Sequence, residues 1–423
     1  MYRSFCAVVT QFDRNWTWLT CREHLQLAYG FFQASLTKGD REAATSSLLE
    51  RTGLASCSEL MSGTDVPEEL APAGLSGGQR RRLSLAVALA KSPLLLIADE
   101  PTSGLDAAAA AAIMTVIRNL ATKDRVAVVC TIHQPSASVF DCLDQLLVLS
   151  KGCTAYLGPA CKLVHHAAAL GKPVSPGVSI AEHFLNLVNA DFASDESVDS
   201  AIDAWRSHAP PLPPPPVAGS LPAEPLRASF ALQTRRLIER HVVKILPRDP
   251  LHVLLTMALA LFDVSTIGLY FWSELRTDDQ NTPANRLMYA MMTITASMLY
   301  NIFYTISASV ERVRVKREID NGMYSPLPYV FVTSLIALFN AIVTIVVVML
   351  LAYVWGDLHS WGSLGYSIVV VSLAQFFFMG VAQLLGWFYG ILGGSNLFSI
   401  IFTVAMSTRA SQASKLHAPS LWR

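Results

Sequence analysis

The sequence predicts a chain of two parts, an α/β domain over residues 1–190 followed by an all-α, lipid-embedded domain over residues 251–406. Two observations predict this. Charge is unevenly spread: 47 of the 64 charged residues lie in residues 1–250, and 17 in the 173 that follow. Within the polar part, residues 75–100 run from a glycine turn through a helical pattern to a short apolar run ending in two acids, the order of an α/β unit. Mean hydropathy of +0.39 and 52% hydrophobic residues are too apolar for one soluble globule of this size, and exclude a disordered or fibrous chain. Zero net charge argues against a nucleic-acid binder.

The seven cysteines all fall in the polar part, with no CxxC or other metal-ligand spacing, and are expected as reduced, buried thiols of a cytosolic domain. Met1–Thr10 lacks the basic start and apolar run of a signal peptide, so insertion is expected to be directed by internal segments.

Four apolar stretches follow Pro250. They are Leu251–Trp272, Leu287–Ser309, Tyr329–Trp355 and a span at about Leu364–Tyr389, with part of a fifth near Asn396–Met406. A helix needs about 20 apolar residues to cross the hydrocarbon core, and helices satisfy their own backbone there. Basic residues precede the first span (Arg235, Arg236, Arg240, Lys244, Arg248) and separate spans two and three (Arg312, Arg314, Lys316, Arg317). The other loops are poor in Lys and Arg, which places the N-terminal domain in the cytosol of a multi-pass protein. Asp263 is the one ionisable group well inside a span, either a functional group or one satisfied by neighbouring helices.

Between the domains, residues 191–225 read as a linker. Asp191–Ser200 is expected as a solvated loop and Ala209–Gly219 as a polyproline spacer. Leu226–Leu246, with its basic face, is expected as a connecting helix along the cytosolic membrane surface within residues 226–250. Residues 407–423 form a polar tail.

The chemistry concentrates in Leu75–Asp106, LSGGQRRRLSLAVALAKSPLLLIADEPTSGLD. Ser76, Gly77, Gly78 and Gln79 open a helix expected over Arg80–Lys91, where backbone N–H groups and the helix dipole favour an anion. Leu94–Ala98 reads as a fully buried parallel strand that delivers Asp99 and Glu100 at its C-terminal end. Adjacent acids there suit metal-assisted phosphoryl chemistry: one holds Mg²⁺, the other polarises an attacking water. The six alanines Ala107–Ala112 are expected to begin the next helix.

This run resembles the nucleotide-binding domain of ABC (ATP-binding cassette) transporters: LSGGQ is similar to the signature motif, LLLIAD with Glu100 to Walker B, and SGLD, ending at Asp106, to the D-loop. Thr131-Ile132-His133-Gln134-Pro135 resembles the switch-histidine segment, and Gln11 the Q-loop glutamine. A nucleotide domain preceding a membrane domain, together with Ile132–Pro159, Ser179–Asn189 and Glu311–Val330, resembles the G subfamily of half-transporters of the White, sterol and multidrug type. The resemblance implies an incomplete P-loop-type α/β domain followed by an all-α transmembrane domain, and ATP and Mg²⁺ as cofactors. It implies Glu100 and His133 as catalytic, Asp99 and Gln11 at the metal, and Gln11, Ser76, Gly77, Gly78, Gln79 and Asp106 at the nucleotide. It also implies dimerisation with a second half-transporter, of the same or a different kind, and export of a lipophilic or amphipathic substrate. Glu311 and Glu318, flanking a basic cluster, are expected to pass nucleotide-domain motion to the spans.

No GxxxxGK[S/T] phosphate loop occurs in these residues, since Gly171-Lys172 is followed by Pro173. The family pattern would place that loop before Met1. Its own ATP site is therefore expected to bind nucleotide poorly, and a catalytically incomplete or regulatory subunit offering only its signature motif is the alternative. An anchored ATPase that moves no solute is a further one.

Overall fold

A computed structural model describes residues 4–63, 74–175, 177–189, 195–208, 228–248 and 311–356, with scattered positions between 365 and 384. It divides into two units, Met1–Arg227 and Ala228–Arg423.

The first unit is built on a parallel sheet in the order β1 (Cys6–Val9), β2 (Leu95–Asp99), β3 (Ala127–Thr131). Val9 pairs with Ala98, and Asp99 with Thr131. The expected strand is thus one residue later than the apolar run indicates, and Asp99 is its last member. Helix α1 (Cys21–Phe32) starts at a Thr20–Glu23 capping box, and α2 (Lys38–Arg51) at Thr37. Helix α3 (Gly77–Leu89) starts at a second box, in which Ser76 Oγ accepts from Gln79 N and Gln79 Oε1 accepts from Ser76 N. It begins three residues earlier than expected because the cap, not the first arginine, sets the start. The alanine run opens α4 (Ala107–Lys123), capped by Asp106.

Helix α3 packs on β1 and α4 on β3. Alternate strand residues Ala7, Val9, Leu96 and Ala98 are buried. The residues between them, Val8, Ile97 and Val129, lie side by side in register and are 37%, 38% and 58% exposed. The strand expected to be fully buried is therefore buried on alternate residues only. Parallel sheets are ordinarily covered on both faces, and among the described residues this one has cover on one.

A second core of the same unit holds Phe140, Tyr156, Leu163, Phe184, Val198 and Ile202. It joins α5 (Ala137–Phe140), the hairpin β4 (Gln145–Ser150) and β5 (Cys153–Pro159), α6 (Leu163–Ala169), α7 (Ile180–Val188) and α8 (Asp195–His208). Lys151 and Gly152, at φ 48 and 74, form the two-residue turn that matches strand twist in a hairpin. Helix α8 corrects the expected loop: from Asp195 onward the chain is helical, and Val198, Ala201, Ile202 and Trp205 recur at helical spacing against the core. The cysteines also differ from expectation, since Cys21 and Cys57 alone are buried and Cys161 is exposed.

In the second unit Ser229 caps α9 (Phe230–Ile238), which widens into a π-type turn at Glu239–Ile245 and tightens at Leu246–Arg248. The expected connecting helix is thus shorter and ends in irregular turns. Residues 311–320 are helical, and after a turn the 31-residue helix Pro326–Gly356 begins, without a single Asp, Glu, Lys or Arg. The expected third span lies inside it. Among the described residues, no helix is long and apolar enough to cross a membrane; the backbone of this helix is helical throughout, and its side chains at 340, 341, 344, 348 and 351–356 lie outside the described ones. The described positions of Leu364–Tyr389 are helical too. The stretches Leu251–Trp272, Leu287–Ser309 and Asn396–Met406, with Asp263, the spacer Ala209–Gly219 and the tail 407–423, lie outside the described residues.

Candidate nucleotide site

The site sits at the C-terminal edge of the parallel sheet, where α/β folds present ligand-binding groups. Strand β1 leads into Gln11, β2 into Glu100, and β3 ends two residues before His133. Gln11 Nε2 donates to Glu100 Oε2 at 2.8 Å. Thr131 Oγ1 donates to Asp99 Oδ1 at 2.6 Å. Two of the four carboxylate oxygens are engaged by these neutral donors, and Glu100 Oε1 and Asp99 Oδ2 take no part in either bond.

Glu100 is a non-glycine residue in the left-handed region, at φ 44. Such strain persists where the surroundings over-determine it. Here Glu100 N donates to Thr131 O at 3.1 Å and to Thr131 Oγ1 at 2.9 Å, while Glu100 O accepts from Arg81 Nη2 at 2.7 Å. Gln134, after His133, shares this backbone conformation at φ 47.

The glycine turn stands next to the loop after β2. A methyl group on Gly78 would come within 3.1 Å of Ala109 Cβ, so glycine here permits the close approach of α3 and α4. Asp106 Oδ1 accepts from Ala109 N at 2.8 Å. Of the residues picked from sequence, Gln11, Asp99 and Glu100 come together at the strand ends. Ser76, Gly77 and Gly78 form the helix N-terminus. Gln79 and Asp106 serve as caps, and His133 stands exposed on the adjoining β3 edge.

Two residues were missed. Thr131 was read only as part of a motif, yet it binds Asp99 and the Glu100 amide. Arg81 was read only as part of the helix expected over Arg80–Lys91, but its side chain is buried and binds both loops. The burial phase of α3 carried that signal, because Arg81 shares a face with Ser84 and Leu85, both buried.

Among the described residues no three His, Cys, Asp or Glu side chains gather as a metal cage. The donor set of Asp99, Glu100 and the Gln11 amide is all oxygen. It fits Mg²⁺, which takes one or two carboxylates and completes its shell with water and phosphate.

The second unit carries a separate buried network. Arg240, 1% exposed, donates from Nη1 to Glu318 Oε2 at 2.9 Å and from Nη2 to Tyr324 OH at 3.4 Å, while Tyr324 OH donates to Glu318. Tyr329 OH donates to Glu311 Oε2 at 3.1 Å, and His241 Nε2 lies 3.9 Å from the same oxygen. Burial alone would pull the Arg240 pKa down, but the Glu318 carboxylate and the Tyr324 hydroxyl more than offset it and the value rises. Burial pushes Glu311 up; His241, Arg240 and the Tyr329 hydroxyl outweigh it and hold the carboxyl below its usual range. Glu311 and Glu318 thus fasten residues 311–320 to the turn after α9.

A serine-capped, glycine-containing helix start, paired acids at a parallel strand end and a glutamine that reaches them are the features of a nucleotide-binding α/β domain, joined in sequence to an apolar helical one. Residues 1–103 match the family model described as ABC transporter, and residues 232–409 the one described as ABC-2 type transporter. ABC transporter G family member 22 of Dictyostelium discoideum is 27% identical over 376 residues, covering 85% of this chain and 60% of its own length. ABC transporter G family members 7 and 13 of Arabidopsis thaliana are 36% and 37% identical over 197 and 187 residues, covering 46% and 44% of this chain and 26% and 27% of theirs. The chain belongs to the ABC transporters, and these relatives are members of the G family. It spans 60% of the length of the first of these relatives and about a quarter of the other two.

Proposed function

We propose that this chain is one half of an ATP-driven exporter of lipophilic or amphipathic solutes, working as a dimer with a second half-transporter, its nucleotide domain in the cytosol and its apolar helices spanning the bilayer. The observation that carries the reading is the Gln11–Glu100 bond at the strand edge. With Oε2 held by Gln11, Glu100 Oε1 is placed to accept a proton from an attacking water. Thr131 holds one oxygen of Asp99, leaving Oδ2 for Mg²⁺, directly or through water. Mg²⁺, when bound, neutralises charge on the transferring phosphate. His133 and Gln11 read the γ-phosphate, and the Ser76–Gly78 amides with the Ser76 hydroxyl face the triphosphate of the partner subunit. The 31-residue helix Pro326–Gly356, about 46 Å long at 1.5 Å per residue, supports a membrane span.

The test is transport. The tagged chain is recovered from membranes of the cells that make it, with its co-assembled partners, and reconstituted in vesicles loaded with an amphipathic fluorescent dye. ATP-dependent dye flux supports the exporter. ATP turnover without flux of any amphipathic dye tried sinks it in favour of an ATPase that moves no such solute.

A further inference from the structure

Arg81 is 3% exposed, and its guanidinium meets six acceptors on two separate loops. Nε donates to Pro101 O at 3.1 Å, and Nη2 to Asp99 O and Glu100 O, both at 2.7 Å. Nη1 donates to Thr10 O at 2.5 Å, to Gln11 O at 3.0 Å and to Asp13 Oδ1 at 3.4 Å. Arginine offers five N–H donors in one rigid plane, so the whole fork is committed. On one side it grips the loop that carries Gln11, and on the other the strand end that carries Asp99 and Glu100. It also secures the carbonyl of Glu100, the residue held at φ 44.

Arg81 belongs to α3, five residues after the Ser76 cap. The neighbouring Arg82 points elsewhere, donating to Thr52 O at 3.3 Å and Gly53 O at 2.8 Å. One short helix therefore carries the glycine turn at its start and the clamp on the hydrolytic carboxylate a turn and a half later. We propose that Arg81 is a positioning residue that couples the two ATP sites of the dimer: nucleotide of the partner subunit pulling on Ser76–Gly78 shifts α3, and the Arg81 fork carries that shift to Gln11 and Glu100 of this chain's own site. This rests on the nucleotide reading above and adds the route by which one site senses the other. A lysine cannot replace the fork, because a single ammonium cannot reach both loops in fixed geometry.

The test is amide hydrogen exchange on the assembled protein, without nucleotide and with Mg-ATP, for wild type, Arg81→Lys and the control Arg82→Lys. Without nucleotide, Arg81→Lys should exchange the amides of residues 10–13, 99 and 100 at least about 10-fold faster, while Arg82→Lys leaves them unchanged. With Mg-ATP, wild type should show slowed exchange at residues 76–79 and also at 10–13, 99 and 100. Arg81→Lys should keep the first response and lose the second, with kcat falling at least about 10-fold and KM for ATP nearly constant. A merely structural arginine would lower the melting temperature and spare both the response and kcat per folded site. Should Arg81→Lys fail to fold, the wild-type measurement still decides: a response at 76–79 with none at 10–13, 99 and 100 overturns the coupling. Persistence of both responses in Arg81→Lys overturns it too. Absence of any Mg-ATP response in wild type overturns the nucleotide reading instead.

Discussion

Gln11 and Glu100, 89 residues apart in the chain, are joined by a 2.8 Å hydrogen bond from the amide to the carboxylate. The bond fixes which oxygen of Glu100 faces the reacting water, so its loss should act on turnover more than on folding. Gln11→Leu in the assembled protein should slow ATP hydrolysis by up to about 10²-fold, the order expected from misplacing a reacting group by an ångström, with the melting temperature within a few degrees of wild type. Equal turnover in the two proteins would show that Glu100 needs no such orientation.

Arg240 and Glu318 pose the opposite case, a buried pair whose rupture should be felt in stability. Glu318→Gln removes the carboxylate that Arg240 Nη1 donates to and should cost about 3–5 kcal/mol, whereas replacing both by apolar residues should cost far less. Thermal unfolding of the detergent-solubilised protein, followed for Glu318→Gln and for Arg240→Met with Glu318→Leu, checks this. A double variant no more stable than the single would mean that the network, rather than the charge, holds residues 311–320 in place.

Glu311 supplies a pH dependence with a definite sign. Its folded pKa lies below the ordinary carboxylate value of 4.5. The ionised form therefore stabilises the fold above about pH 4.5, and that contribution is lost as pH falls through the folded value. Unfolding midpoints between pH 7 and 3 should drop more steeply for wild type than for Glu311→Gln. Parallel curves would show that the carboxylate contributes nothing.

Cys21 should be chemically silent in the native chain. Burial, with Cys57 beside it, pushes its thiol up to about 12, and the thiolate is the reactive form. Brief iodoacetamide treatment at pH 8, read by peptide mass spectrometry, should label the exposed Cys161 and leave Cys21 unmodified until denaturant is added. Labelling of Cys21 at the rate of Cys161 would show that the α1 region opens readily.

Much of the site was legible because its pieces are local. A serine and two glycines before a helix, and two acids after an apolar run, announce themselves within 30 residues, and the structure brings Gln11, Asp99 and Glu100 together as their positions in the chain imply. The strand and helix boundaries shifted by one to three residues, because Asp99 completes the β ladder and Ser76 caps α3. The failures were of another kind. Asp195–His208 was hidden by an acidic, serine-containing start that masks the spacing of Val198, Ala201, Ile202 and Trp205. Arg81 was lost among three consecutive arginines, since only the packing of α3 tells which of them points inward. The network of Arg240, Glu318 and Tyr324 depends on residues up to 84 apart in the chain, a distance over which no periodicity speaks.

The claim on which the rest depends is that Glu100 acts at a hydrolytic site for Mg-ATP. ATP turnover by the chain purified with its native partners, wild type against Glu100→Gln, tests it most directly. Predicted is a Mg²⁺-dependent activity that falls by at least about 100-fold in the variant, without loss of folded protein; undiminished turnover in Glu100→Gln would contradict it.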